Sequence, residues 1–210
     1  LAYHYAEKVR IAAAAAATVN DGETVMIEAG SCCALLAEQI SIQRTGITIV
    51  TNSAFIAQRL GAHPMVSTVL LGGEQQHDSR VLVGPMVELC ARQFIVDRLF
   101  IGTDGFTPSL GFTARDYMRA TAVRALASRA ERVVVLTESE KLGGHGPVPL
   151  LGADDVAALW TDSAAPDAQV DVLTGSGVEV VTVAADGTAV VHPAQARPEP
   201  DHVVGGDSAP

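Results

Sequence analysis

Short apolar runs alternate along this chain with longer segments in which apolar residues recur every three or four positions. The runs are rich in Val, Ile and Leu, and they lie at 24–28, 47–51, 67–71, 98–102, 132–137, 158–161 and 178–183, each of strand length. The longer segments, at 3–19, 32–39, 53–60, 84–94, 116–129 and 166–174, have helical spacing, and the turn Asn20-Asp21-Gly22 closes the first. Strand followed by helix, repeated, predicts an α/β fold built as a mostly parallel open sheet flanked by helices. Strands that are apolar at nearly every position are those covered on both faces. From Pro193 onward the chain turns to Pro, Ala, Gly, Asp and Ser. The expected organisation is one domain over 1–192 and a disordered tail over 193–210.

Composition narrows the class. At 210 residues, 48% hydrophobic and 18% charged, the chain suits one α/β domain better than two very small ones. The Ala-rich stretch 11–17 is too short to cross a membrane and is flanked by Lys8, Arg10 and Asn20, so no membrane role is expected. No basic region followed by an apolar core opens the sequence, which gives a cytoplasmic expectation. Cys32, Cys33 and Cys90 are odd in number and form no Cys-x-x-Cys pair, as suits reduced, buried thiols. The net charge of −10 argues against nucleic-acid binding by this chain itself, and no zinc-finger, basic-heptad or helix-turn-helix pattern is present. Dinucleotide loop, Walker loop, nucleophile elbow and metal-ligand histidine spacing are also missing, so neither cofactor nor metal is expected.

Chemistry concentrates where strands end, the edge at which open α/β sheets bind ligands. Glu28-Ala29-Gly30-Ser31-Cys32 closes one strand and opens a helix: Gly30 permits close approach, Ser31 offers a hydroxyl, and the free N–H groups favour an anion. Asn52 and Ser53 end the next strand, and Gly72 and Gly73 the third; a cap and a simple turn account for these equally well. The most specific segment is Gly102-Thr103-Asp104-Gly105-Phe106 with Gly111-Phe112-Thr113-Ala114-Arg115-Asp116, which puts a carboxylate suited to sugar hydroxyls between residues without bulk. Beyond the strand at 132–137 stands Lys141, suited to hold phosphate as a point charge, with Arg115 as a second cation. The glycine-rich loop 143–146 is a candidate lid, and Tyr117, Met118 and Trp160 are expected in a core or an interface.

Taken in order, Glu-Ala-Gly-Ser-Cys, Thr-Asn-Ser, Leu-Leu-Gly-Gly-Glu, Val-Gly-Pro, Ile-Gly-Thr-Asp-Gly-Phe, Gly-Phe-Thr-x-x-Asp and Thr-x-Ser-x-Lys resemble the effector domain of DeoR-family sugar-operon regulators. The resemblance implies the fold of ribose 5-phosphate isomerase, glucosamine 6-phosphate deaminase and CoA-transferases. It also implies a phosphorylated sugar or sugar alcohol as effector, seated with its phosphate on Ser31, Cys32 and Lys141 and its sugar facing Asn52, Asp104 and Asp116. The family pattern at the first loop is Asp-x-Gly-Ser-Thr, so Glu28 and Cys32 are departures from it. The segment Gly-Phe-Thr-x-x-Asp-x-Met is similar to regulators of hexitol or amino-sugar pathways. Family members begin with a winged helix-turn-helix, which this chain lacks, so DNA would be bound only through that absent domain, and a homo-oligomer is expected from operator symmetry. The expected mechanism is a population shift in which the effector orders loops near Gly105–Gly111 and Gly143–Gly146. Two other readings remain: an aldose–ketose isomerase, since Asp104, Asp116 and Lys141 follow the order of that enzyme's ionisable residues, and a purely structural oligomerisation module. Where the isomerase has a general-base Glu this chain has Asp116, one methylene shorter.

Overall fold

The computed structural model describes residues 3–196; the tail expected beyond 196 lies outside the described residues. Every expected strand and helix is present. The helices are α1 (Tyr5–Ala16), α2 (Ser31–Gln43), α3 (Ala54–Leu60), α4 (Pro85–Ala91), α5 (Tyr117–Ala127) and α6 (Asp167–Gly175). The expected strands are β1 (Thr24–Ile27), β2 (Ile47–Thr51), β3 (Val66–Leu70), β6 (Val96–Ile101), β9 (Ala130–Leu136), β11 (Ala158–Asp162) and β12 (Glu179–Val183). Six further strands carried no sequence signal: β4 (Glu74–Gln75), β5 (Leu82–Val83), β7 (Gly105–Thr107), β8 (Gly111–Ala114), β10 (Val148–Leu151) and β13 (Ala189–His192).

The main sheet has the order β13-β12-β11-β9-β6-β1-β2-β3 and is parallel except for β13, which runs antiparallel to β12. Alternation along each strand divides the core in two. Val25, Ile27, Phe100, Val134 and Leu136 pack with α1, α2 and α3 on one face, while Met26, Leu99, Ile101, Val133 and Val135 pack with α4, α5 and α6 on the other. Because both faces are covered, no polar alternation was visible in the sequence. From β1 the chain builds outward first through β2 and β3, then through β6, β9, β11 and β12 on the opposite side. The reversal between β1 and β6 is a topological switch point, which opens a crevice at their carboxyl ends.

The segment Gly105–Gly111, expected to behave as a loop that a ligand would order, is instead the β7–β8 hairpin of a small sheet, β10-β8-β7. Phe106 and Phe112 are fully buried with ring centroids 4.8 Å apart, so packing already fixes it. The loop 143–146 docks on the hairpin: a Cβ at Gly105 would stand 2.7 Å from His145 Cα. Tyr117 and Met118, expected in a core or an interface, are exposed, and Trp160 is half-buried.

Candidate functional site

At the carboxyl end of β1 the backbone passes through Gly30 at φ 155 into α2, with no side chain capping the helix. The first amide bonded within the helix is that of Ala34, to Gly30 O at 2.9 Å. The three amides before it have no acceptor within the helix and carry the positive end of its dipole. Beside them lies a cavity of about 350 Å³. Ser31, Ser53, whose Oγ caps α3, and Ser79, whose Oγ donates to Gln76, line it with Ala29, Ala34, Phe55 and Val81 as apolar walls, and Gly30 and Arg119 complete it. Ser79 and Val81 come from the β4–β5 hairpin, which folds over the opening and is tethered to α5 by the Gln76 side-chain amide donating to Asp116 Oδ1 at 2.9 Å.

Arg119 sits on α5 because Asp116 caps that helix, its Oδ1 accepting the Arg119 N–H at 2.6 Å. One turn in, the guanidinium forks onto Glu28, Nε to Oε1 at 2.7 Å and Nη2 to Oε2 at 2.9 Å, and Nη2 also donates to Ala29 O at 2.9 Å. Glu28 is fully buried, and its negative charge raises the guanidinium pKa further above its usual range. Asp104 lies 3.7 Å from Arg119 Nη1 and accepts the Arg115 backbone N–H at 3.0 Å.

A second charged group flanks the start of α2 from the end of β9. Glu138 pairs with Lys8 of α1 at 2.9 Å and with Lys141 at 3.5 Å, and the Cys32 thiol donates weakly to it at 3.9 Å. Burial alone would push the Glu138 carboxyl up, but the bond from Lys8 and the charge of Lys141 outweigh it and hold it below its usual value. Burial, and then Glu138, push the Cys32 thiol up to about 12, so it remains protonated. Lys141 also donates to Thr103 O at 3.0 Å. Among the described residues no group of three or more His, Cys, Asp or Glu could hold a metal ion, and no helix is long and apolar enough to cross a membrane.

Of the residues singled out in the sequence, Gly30, Ser31 and Ser53 line the cavity, and Gly102, Asp104 and Asp116 gather around Arg119. Cys32 and Lys141 belong to the Glu138 group. Asn52 is fully buried, its amide donating to Leu82 O at 3.0 Å while its Oδ1 has no partner among the described residues. The remainder lie apart. Gly72 packs on Cys90 and Gly73 on Val83 and Val87, Gly105 receives the 143–146 loop, and the Arg115 side chain is 83% exposed. Sequence reasoning missed Arg119, Lys8, Glu138 and Phe55. Lys8 did leave a signal, because it stands in helical phase with Ile11, Ala12 and Ala15 on an apolar stripe.

Residues 3–163 match the family described as the DeoR C terminal sensor domain. The chain belongs to that family. This DeoR sensor domain is 30% identical over 187 residues to the HTH-type transcriptional regulator UlaR of Shigella dysenteriae serotype 1, an alignment covering 87% of this chain and 71% of UlaR. It is 27% identical over 162 residues to the transcriptional repressor AccR of Agrobacterium fabrum, covering 77% of this chain and 62% of AccR, so it spans less than two thirds of that relative. Among solved structures it shares its fold with eIF2B beta from Chaetomium thermophilum (TM-score 0.54, 16% identity, covering 73% of this chain and 47% of that one). A second likeness is ribose 5-phosphate isomerase from Plasmodium falciparum (TM-score 0.50, 10% identity, covering 89% and 97%). The named sequence relatives are transcription regulators; the isomerase likeness concerns the fold alone.

Proposed function

We propose that this DeoR sensor domain binds a phosphorylated sugar or sugar alcohol across the carboxyl ends of β1, β2 and β6. In this reading, occupancy alters operator affinity through a DNA-binding domain joined ahead of it, in a cytoplasmic homo-oligomer that acts on genes of sugar metabolism. The observation that carries the reading is the cavity itself: it lies at the carboxyl ends of β1 and β2 beside the switch point, opens on the uncapped first turn of α2, and is lined by three serines and Arg119 together with apolar walls. An anion suits the helix start, hydroxyls suit the serines, and the carbon skeleton of a sugar suits Phe55 and Val81.

A sensor is favoured over an isomerase by the state of Asp116. Its Oδ1 caps α5 and holds Gln76, so the carboxylate is engaged in architecture where an enzyme would need it aimed at a substrate carbon. The test is a thermal-shift panel of pentose, hexose, hexitol and amino-sugar phosphates, followed by analysis of each mixture for isomerised product. A ligand at 100 times its Kd stabilises by about 2.7 kcal/mol; at about 2–4 °C per kcal/mol for a chain of this size, the expected rise is roughly 5–10 °C. Stabilisation without turnover is the expected result. Turnover would move the assignment to an isomerase, and a panel without effect would remove the sugar-phosphate reading.

A further inference from the structure

Lys8 is the one charged residue on the buried stripe of α1. Ile11, Ala12 and Ala15 of the same stripe enter the core, and Lys8 itself is 6% exposed. A buried ammonium needs a counter-charge and hydrogen-bond acceptors. It finds Tyr3 O at 2.6 Å and, across the molecule in sequence, Glu138 at 2.9 Å. Glu138 is shared, because Lys141 approaches its other oxygen at 3.5 Å. Two ammonium groups against one carboxylate leave this cluster with a surplus of one positive charge, in a chain whose net charge is −10. The cluster adjoins the start of α2, since Cys32, the second residue of that helix, contacts the same Glu138 oxygen. The other charges nearby are turned elsewhere: Glu28 and Arg119 compensate each other, Asp104 lies toward Arg119 and Arg115, and Glu140, mostly exposed to water, is bonded to Tyr3 and His4.

We propose that Lys8 is a positioning residue of the effector site: by occupying Glu138 it leaves the charge of Lys141 uncompensated beside the uncapped turn of α2, where a phosphate group is taken up. The inference rests on the reading of the site given under Proposed function. Lys8 does not touch the anion. Without it, Glu138 would cancel Lys141, and the seat would keep only the helix amides and a neutral pair.

The experiment titrates inorganic phosphate into this chain at low ionic strength, following the backbone amide resonances of Ser31 and Cys32, for the wild type and for Lys8→Met, Lys141→Met and the double variant Lys8→Met/Glu138→Gln. Lys8→Met keeps Lys141 to pair with Glu138, so the carboxylate is not stranded. It is expected to weaken phosphate binding about tenfold, the scale of one charge-assisted contact. Lys141→Met should weaken it at least as much. The double variant should recover most of the loss, because the neutral amide that replaces the Glu138 carboxylate no longer cancels Lys141; a Lys8 of merely structural importance would leave the double variant as weak as the single. Unchanged binding in Lys8→Met, or no recovery in the double variant, overturns the inference and leaves the site reading standing. If the wild type ignores phosphate the inference falls, and the sugar-phosphate panel decides separately whether the reading falls with it.

Discussion

Glu28 has no exposure to water, and the Arg119 fork replaces the hydration it lost. Removing one member of such a pair strands the other. Arg119→Leu is expected to cost about 3–5 kcal/mol in urea denaturation, whereas Glu28→Leu/Arg119→Leu should recover most of that loss. The sequence marked Glu28 as a departure from the family pattern, but its partner lies 91 positions away on another element. A single sequence carries no sign of that pairing, so the charged pair beside the candidate site was not legible, while Gly30, Ser31 and Ser53, which line the cavity, were singled out. Asp162 offers a pH test. Burial pushes its carboxyl up, but the Ser139 N–H at 2.8 Å, the Ser139 hydroxyl at 2.7 Å and the Ala164 N–H at 3.0 Å hold it below the usual range. A lowered folded pKa means that the stability it contributes is complete above the unfolded value of about 3.9 and is lost as pH falls through the lower folded one. Asp162→Asn should therefore be less stable than the wild type near neutral pH, and the two should converge in acid, as measured by the unfolding free energy against pH.

At the scale of elements, the long buried strands and the helices were readable because each repeats one pattern over several residues. The short strands were not. β4 and β5 have two residues each, β7 has three, and β10 contains Pro149, so none shows a period. Yet these pieces form the roof and flank of the site. Asp116 joins one of them to a helix, as the cap of α5 and the tether of the β4–β5 hairpin. Asp116→Ala is expected to cost about 1–2 kcal/mol as a lost cap and to raise amide exchange selectively in residues 74–83. The β7–β8 hairpin makes a parallel case. Gly105→Ala would press a methyl group onto the backbone of Gly144 and His145, which cannot yield as a flexible side chain does. The expected loss is about 1–3 kcal/mol, with faster exchange across 143–146 as the signature of a displaced loop.

For the whole molecule, the order of strands was hidden in the sequence, since only pairing in space reveals that β1 lies between β6 and β2. That order, more than any motif, puts Glu28, Gly102 and Arg119 in one crevice. It also fixes the direction of α1. The start of this helix reaches Glu140 at the carboxyl edge of the sheet, through His4 at 2.9 Å and Tyr3 at 3.3 Å. Beyond its end, Thr18 accepts from Arg98 at the opposite edge. The helix thus runs against the strands, and polypeptide joined ahead of Tyr3 would leave from the rim that carries the cleft. At 1.5 Å of rise per residue, Lys8 stands only about 7 Å along the chain from that exit. In the proposed function, input and output then share one rim of the fold: a shift at Glu138 would reach a preceding segment through little more than one helical turn, without crossing the sheet.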